Sequence, residues 1–326
     1  MQALLFDSGI PAIERSTAED VLNKTSIVGR TLSAMVVIGL IIAAYLLCAR
    51  PSQLRWGATD AEVARAMPGD ALSSRPTFLS TRAITINATP EVIWPWLVQM
   101  GYGRAGFYGY DVLENLGSSR GIHSAERIVP ELQQIVAGDP LPLSAAGGLV
   151  INAIEPNRFI VWSGKSGAFP GAFTWGLYPV DASHTRLVSR IQWKHHWSQP
   201  FVLVLDLFTE FTDHLAVRKI LHGVKDRAEG RVESFSRQSV EFAVLLWALV
   251  NFFAAIWCVL RRAITWRGWL AAVAAGVAWL VVWYAPISVG LGTAANILVL
   301  WILHSARAAR DGREAATAPI TARTST

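Results

Sequence analysis

The sequence predicts an α+β protein: an antiparallel sheet followed by a long closing helix, with four transmembrane α-helices around them, one before and three after. Three observations predict this. Five short runs with strand-like alternation lie between 141 and 193, separated by turn residues. A helical apolar stripe follows, from Phe201 to Glu233. Four apolar stretches of membrane-spanning length lie outside that region. Of the 326 residues 52% are hydrophobic and only 16% are charged, against about 25% charged in an average soluble chain. The mean hydropathy of +0.35 points the same way.

Residues 1–30 are mixed in character and read as an N-terminal tail. Residues 31–49 carry no charge; as a helix they would extend about 28 Å, close to the hydrocarbon thickness of a bilayer. No small-residue cleavage site follows, so this span reads as a retained anchor rather than a signal peptide. Residues 50–80 contain Pro51, Gly57, Pro68, Gly69 and Pro76 and read as a linker with a short helix at Asp60–Ala66. The folded domain is expected over 81–235. Arg82–Asn87 alternates as a strand does. Thr89 and Pro90 then open a helix with Glu91 in its first turn, where the helix dipole favours a carboxylate. Val92, Ile93, Trp96, Leu97 and Met100 form its apolar stripe, and Gly101 and Gly103 end it. A second helix is predicted over Ser124–Val136, with Ile128, Leu132, Ile135 and Val136 on one face. Gly138-Asp139-Pro140 is a turn. The strand runs are Leu141–Leu143, Leu149–Ile154, Arg158–Trp162, Ala172–Val180 and Thr185–Trp193, and their short connections suit antiparallel neighbours. Leu205, Phe208, Phe211, Leu215, Ile220, Leu221 and Val224 supply the face of the closing helix.

Three further spans are expected at 242–260, 268–285 and 287–306. The last two come from 39 residues without Asp, Glu, Lys or Arg, broken at Tyr284-Ala285-Pro286. Residues 307–326 read as a disordered tail. Arg261, Arg262 and Arg267 in one short loop, and Arg307, Arg310 and Arg313 after the last span, mark cytoplasmic ends. Four spans then put both termini in the cytoplasm and the folded domain outside it; Arg50, Arg55, Arg231 and Arg237 beside the domain argue for the inverted alternative, with the domain in the cytoplasm.

The stretch TPEVIWPWLVQMGYGRAGFYGYDVLENLG, from Thr89, followed by IHSAERIVPELQQIVAGD, from Ile122, resembles the SRPBCC superfamily, the START-type or polyketide cyclase/dehydrase-like helix-grip proteins. More narrowly, it is similar to a bacterial membrane-anchored subgroup with a PWLVQMG, GFY, YD and LEN signature. The resemblance extends over Leu54–Glu233. It implies a sheet wrapped around the last helix and a location in a bacterial inner or plasma membrane. It also implies a hydrophobic small molecule or lipid as partner, bound between sheet and helix at the membrane. The superfamily contains both carriers and enzymes. A polyketide cyclase- or dehydratase-like enzyme and a non-catalytic membrane interaction protein are therefore the alternatives.

Trp162, Trp175, Tyr178, Arg190, Gln192 and Trp193 are candidates for the ligand-facing side of the strands, and Trp96, Tyr108 and Tyr110 join them from the first helix and its loop. Amphipathic aromatics suit a sterol-, lipid- or polyketide-sized ligand; the alternative is that they fill the core. Asp111, Glu114 and His123 are the catalytic candidates, since carboxylate and imidazole are the material of general acid–base catalysis. The alternative is structural, with the two acids capping turns or pairing with Arg104 or Arg127. Asp206, Glu210, His214, Arg218, His222 and Asp226 recur every four residues and read as a solvated, salt-linked stripe. Glu210 and His214 have the spacing of two metal ligands, but no third ligand is indicated, so no metal is expected. Cys48 and Cys258 make neither a disulfide framework nor a metal quartet. The net charge of +5 comes with no basic run or recognition helix, so nucleic acid is not expected. Gly101, Gly103 and Gly106 follow a helix and lack a βαβ frame, so no dinucleotide cofactor is expected either.

Overall fold

In the computed structural model residues 45–115, 123–144, 147–164, 171–194, 200–232, 234–261 and 289–317 are described, with a few positions within 32–43 and residue 276. Two compact units result: Ala49–Val244, and Met1–Cys48 with Leu245–Thr326.

Alternation in strand β1 (Phe78–Ile86) sets the frame of the first unit. Phe78, Ser80, Arg82 and Ile86 share one face, Thr81 and Ala83 lie on the other, and all six are buried. Both faces of this strand are therefore covered. β1 pairs antiparallel with β6 (Thr185–Trp193). Beyond it lie β5 (Gly171–Pro179), β4 (Phe159–Ser163), β3 (Gly147–Glu155) and β2 (Pro140–Ser144), giving the order β1-β6-β5-β4-β3-β2. All pairings are antiparallel, so the five strand runs read from alternation form one meander and β1 closes onto its last strand.

One face of the sheet packs against the long helix. Val217, Leu221 and Val224 of that helix share a core with Ile160, Trp162, Trp175, Leu187 and Ile191 of the strands. The helix spans Pro200–Ala228 and stops before Gly230, whose φ of 75° leaves the helical region. Helix α3 (Pro90–Val98) adds Ile93, Trp96 and Leu97 to the same core, and has Pro at its first position as the sequence indicates.

The opposite face is covered by residues 58–77, so much of the stretch expected to be a linker is a strap on the sheet, while residues 50–56 lie on the helix-facing side, where Leu54 and Trp56 pack against the core. The strap holds helix α2 (Asp60–Ala64) and a 3-10 turn at Asp70–Leu72; helix α1 (Arg50–Leu54) precedes it on the helix-facing side. Thr59 and Glu62 cap α2 reciprocally: Glu62 N–H donates to Thr59 Oγ1 and Thr59 N–H donates to Glu62 Oε2. Arg190 fastens the strap. Its guanidinium donates to the carbonyls of Arg65 (2.7 Å), Glu62 (2.9 Å) and Val63 (2.9 Å) and to the Asp70 carboxylate (2.9 Å). Arg186 donates to both Glu62 oxygens at 2.7 and 2.8 Å.

The helix predicted over Ser124–Val136 is not formed. Only a 3-10 turn, Pro130–Leu132, appears there. Pro130 has no N–H to give a helical ladder, and the Gln99 side chain substitutes for one: it accepts from Val129 N–H at 2.9 Å and donates to Arg127 O at 3.2 Å. Helix α4 is a single turn, Asp111–Glu114. The long helix Pro200–Ala228 is designated α5.

The expected membrane architecture is overturned. Among the described residues no helix is long and apolar enough to cross a membrane. Among these residues the fold is α+β with no membrane-crossing helix, which corrects the expected four-span architecture and the integral-membrane location and extracytoplasmic domain inferred from it. Most of 31–49 and nearly all of 268–285 lie outside the described residues. Residues 242–260 belong to helix α6 (Phe235–Arg261) and 287–306 largely to helix α7 (Val289–Thr317). Each of these carries a buried amide midway. Asn251 Nδ2 donates to Asn296 Oδ1 at 2.9 Å, and Asn296 Nδ2 donates to Gly292 O at 3.0 Å. A long run without charge is therefore not a run without polarity.

Candidate functional site

The site is built from the helix-facing side of the sheet. Arg82 has the same parity as Ile84 and Ile86 in β1, so its side chain enters the core; it is fully buried. Two of its three nitrogens are fixed: Nε donates to Gln53 O at 2.8 Å and Nη1 to Asp213 Oδ2 of α5 at 2.7 Å. This pair ties strand to helix across the interior. Burial raises the Asp213 carboxyl pKa, against the pull of the Arg82 charge. One helical turn before Asp213, Glu210 is held by Arg50 through two bonds, 2.6 and 2.9 Å. His214, wholly buried beside them, is pushed down to about 3, first by burial and then by the charges of Arg82 and Arg218; the ring is neutral at physiological pH.

Beside these ion pairs lie polar atoms with no partner in the protein. They are Arg82 Nη2, Ser80 Oγ, Ser189 Oγ and Trp175 Nε1. Buried polar groups in native proteins are overwhelmingly paired, so four on one face form a distinct feature. No base is hydrogen-bonded to either serine hydroxyl. The set is equipped to hold a ligand's polar end rather than to attack it. Among the described residues no group of three or more His, Cys, Asp or Glu side chains could hold a metal ion.

The structure distributes the residues singled out in the sequence over three places. Trp162, Trp175 and Trp193 lie in the helix-facing core, with Trp162 and Trp175 ring centroids 5.6 Å apart and Trp193 stacked on Phe78 at 3.8 Å. Trp96 and Tyr108 lie in that core too, edge to face at 5.9 Å. Arg190 and Gln192 face the other way, into the strap, where Gln192 donates to Gly69 O at 2.8 Å. Tyr178 is also on that side, under Arg65.

The acidic cluster does assemble, around a strained loop. Tyr108 has φ of 64°, a left-handed conformation that costs a non-glycine residue about 1–2 kcal/mol. Its surroundings impose it. Tyr108 N–H donates to Ser124 Oγ (3.0 Å), its hydroxyl donates to Trp96 O (3.0 Å), and Arg227 stacks over its ring at 4.4 Å. Gly223 of α5 lies so close that a Cβ there would meet Tyr108 O at 2.0 Å. Asp111 accepts from the Ser124 N–H (3.0 Å) and hydroxyl (2.6 Å). Glu114 accepts from the N–H groups of Phe107 and Gly109, both at 3.1 Å. Burial, with Asp111 nearby, raises Glu114 to about 7. His123 is more than half exposed, 3.7 Å from Asp111. Tyr110 donates to Glu241 at 3.0 Å and packs on Phe242. Both carboxylates are engaged in holding the loop.

The polar residues Ser80, Arg82, Ser189 and Asp213 are not among those the sequence reading selected, and His214 was read there only as part of a solvated stripe, although the signal was present. Arg82 is in phase with Ile84 and Ile86, and His214 is in phase with Val217, Leu221 and Val224 on α5. Glu210, His214 and Arg218 therefore form a buried row, with exposures of 3%, 0% and 8%, and not the solvated stripe expected.

The arrangement is a six-stranded antiparallel sheet with one long helix along one face and a short helix beside it, the order of elements expected of a helix-grip fold. No family model matches the chain, and no curated protein does. Several solved structures are similar to it. A conserved protein of unknown function from Enterococcus faecalis is 13% identical over 55% of this chain and 88% of that one, with a TM-score of 0.25. A polyketide-cyclase-like protein from Corynebacterium glutamicum is 13% identical over 46% and 91%, with a TM-score of 0.29. An aromatase/cyclase from a Streptomyces species is 15% identical over 48% and 96%, with a TM-score of 0.28.

Proposed function

We propose that the Ala49–Val244 unit binds a hydrophobic small molecule or lipid between the sheet and helix α5. The observation that carries this reading is the combination on one interior face: large aromatics, Trp162, Trp175 and Trp193, beside buried polar atoms that no protein group pairs. Small-molecule sites have this composition, mostly apolar with a few placed polar groups. Binding is favoured over a cyclase- or dehydratase-like reaction because Asp111 and Glu114 are committed to loop N–H and hydroxyl groups. The test is native mass spectrometry of the full chain together with titration of the fluorescent apolar probe 1-N-phenylnaphthylamine. The expected result is saturable one-to-one uptake of the probe, with a co-purifying apolar molecule that the probe displaces. A chain that arrives empty and takes up no probe would end this reading.

A further inference from the structure

We propose that the unpaired atoms on the helix-facing side form a recognition row for an oxygen-bearing head group, a carboxylate or carbonyl that accepts from Arg82 and Trp175. This rests on the apolar-ligand reading above and specifies the polar end of that ligand. The row is fixed by strand register. Arg82 of β1 stands opposite Ser189 of β6, and Ser189 stands opposite Trp175 of β5. Neighbouring strands lie about 4.8 Å apart, so the three residues form a line directly across the sheet. Ser80 lies two residues along β1, on the same face. All four are at least 98% buried, and each offers an atom without a partner in the protein.

The chemistry of the row is asymmetric. Guanidinium and indole nitrogens donate and cannot accept; the serine hydroxyls do either. The complement is therefore a group rich in acceptors, and an ammonium is disfavoured. Arg82 is also oriented for the task, since Gln53 O and Asp213 hold Nε and Nη1 and leave Nη2 outstanding. Asp213 offsets the charge of Arg82, Arg50 offsets that of Glu210, and His214 is neutral. The group recognised therefore need not be ionised: a ketone or ester carbonyl suits the row as a carboxylate does. The aromatic side chains of Trp162 and Trp193 flank the row and suit the apolar remainder of such a molecule.

The experiment uses the full chain, with 15N-labelled tryptophan, and three probes of equal apolar length: decanoic acid, 2-undecanone and decylamine. Trp175→Phe identifies the Trp175 indole resonance and removes the N–H donor together with the five-membered ring that carries it. The expected result is that acid and ketone bind and move that indole proton downfield, while the amine binds at least tenfold more weakly. Arg82→Met should lower acid and ketone affinity at least tenfold and leave that of the amine unchanged. Trp175→Phe, the milder change, should lower acid and ketone affinity several-fold should Arg82→Met not fold. Amine binding equal to that of the acid, or bound acid that leaves the indole proton unmoved, would overturn the head-group assignment and leave the apolar-ligand reading standing. Failure of all three probes to bind would overturn that reading itself.

Discussion

Glu114 lies beneath the loop it holds, and its protonation belongs to the stability of the fold. Burial raises its carboxyl to about 7, above the ordinary 4.5. Between these values the native state retains a proton that the unfolded chain releases. Stability contributed by this group is full below pH 4.5 and is lost as pH rises through 7. The span corresponds to about 3 kcal/mol. His214 acts with the opposite sign: its depressed value of about 3 means that stability is gained as pH rises from about 3 to 6.5. Glu114→Gln keeps His214 and removes the carboxyl titration. Urea melts of the two proteins from pH 4.5 to 7.5 should show the wild type losing about 3 kcal/mol relative to the variant across that range. A constant difference would show that Glu114 stays ionised in the fold. Residues were partly legible in the sequence for a definite reason. Residue type and spacing brought Asp111, Glu114 and His123 together as a cluster, whereas the use of each carboxylate is decided by the N–H groups of Phe107, Gly109 and Ser124, which no spacing reveals. Arg82 and His214 were legible only through phase with their apolar neighbours.

At the scale of elements, alternation located the strands well because both faces of the sheet are used. Strand β1 begins at Phe78, four residues before the alternating run that marks it in the sequence. Proline and glycine made 50–80 resemble a linker. These residues report local chain geometry and are silent on whether the segment lies on something. The better signal lay elsewhere: Arg186 and Arg190 share parity with the buried Val188, so the outer face of β6 had to meet acceptors. The strap provides them. Arg190→Met would leave three carbonyls and Asp70 without their donor. Breaking a buried charged network from one side costs about 3–5 kcal/mol. A midpoint shift of that size is expected in chemical denaturation, with Thr81→Val, which removes the 3.1 Å bond from Arg190 Nε to Thr81 Oγ1, costing less. A melting curve unchanged by Arg190→Met would mean the strap is dispensable to the sheet.

At the scale of the whole molecule, absence of charge misled the reading of the flanking segments, because an amide such as Asn251 or Asn296 is uncharged yet polar and hydrogen-bonded. The domain limits 81–235 follow the resemblance and the periodicity, while the compact unit runs from Ala49 to Val244. The difference is energetic. The segment before 81 supplies Gln53 O to Arg82, Glu62 to Arg186 and Asp70 to Arg190. The segment after 235 supplies Gln238 to the Asp111 N–H, and Glu241 to Tyr110 and to Lys219, the last at 2.5 Å. A fragment of 49–244 retains every one of these partners and should unfold in a single cooperative transition. A fragment of 81–235 leaves the buried guanidinium groups of Arg82 and Arg190 and the half-buried one of Arg186 short of acceptors and exposes the outer sheet face; it should aggregate or lack a cooperative transition. Circular dichroism melts of the two fragments, with amide dispersion in NMR spectra as a second readout, separate the cases. Equal, cooperative folding of the shorter fragment would show that the strap and the start of α6 dock on a sheet that is complete without them.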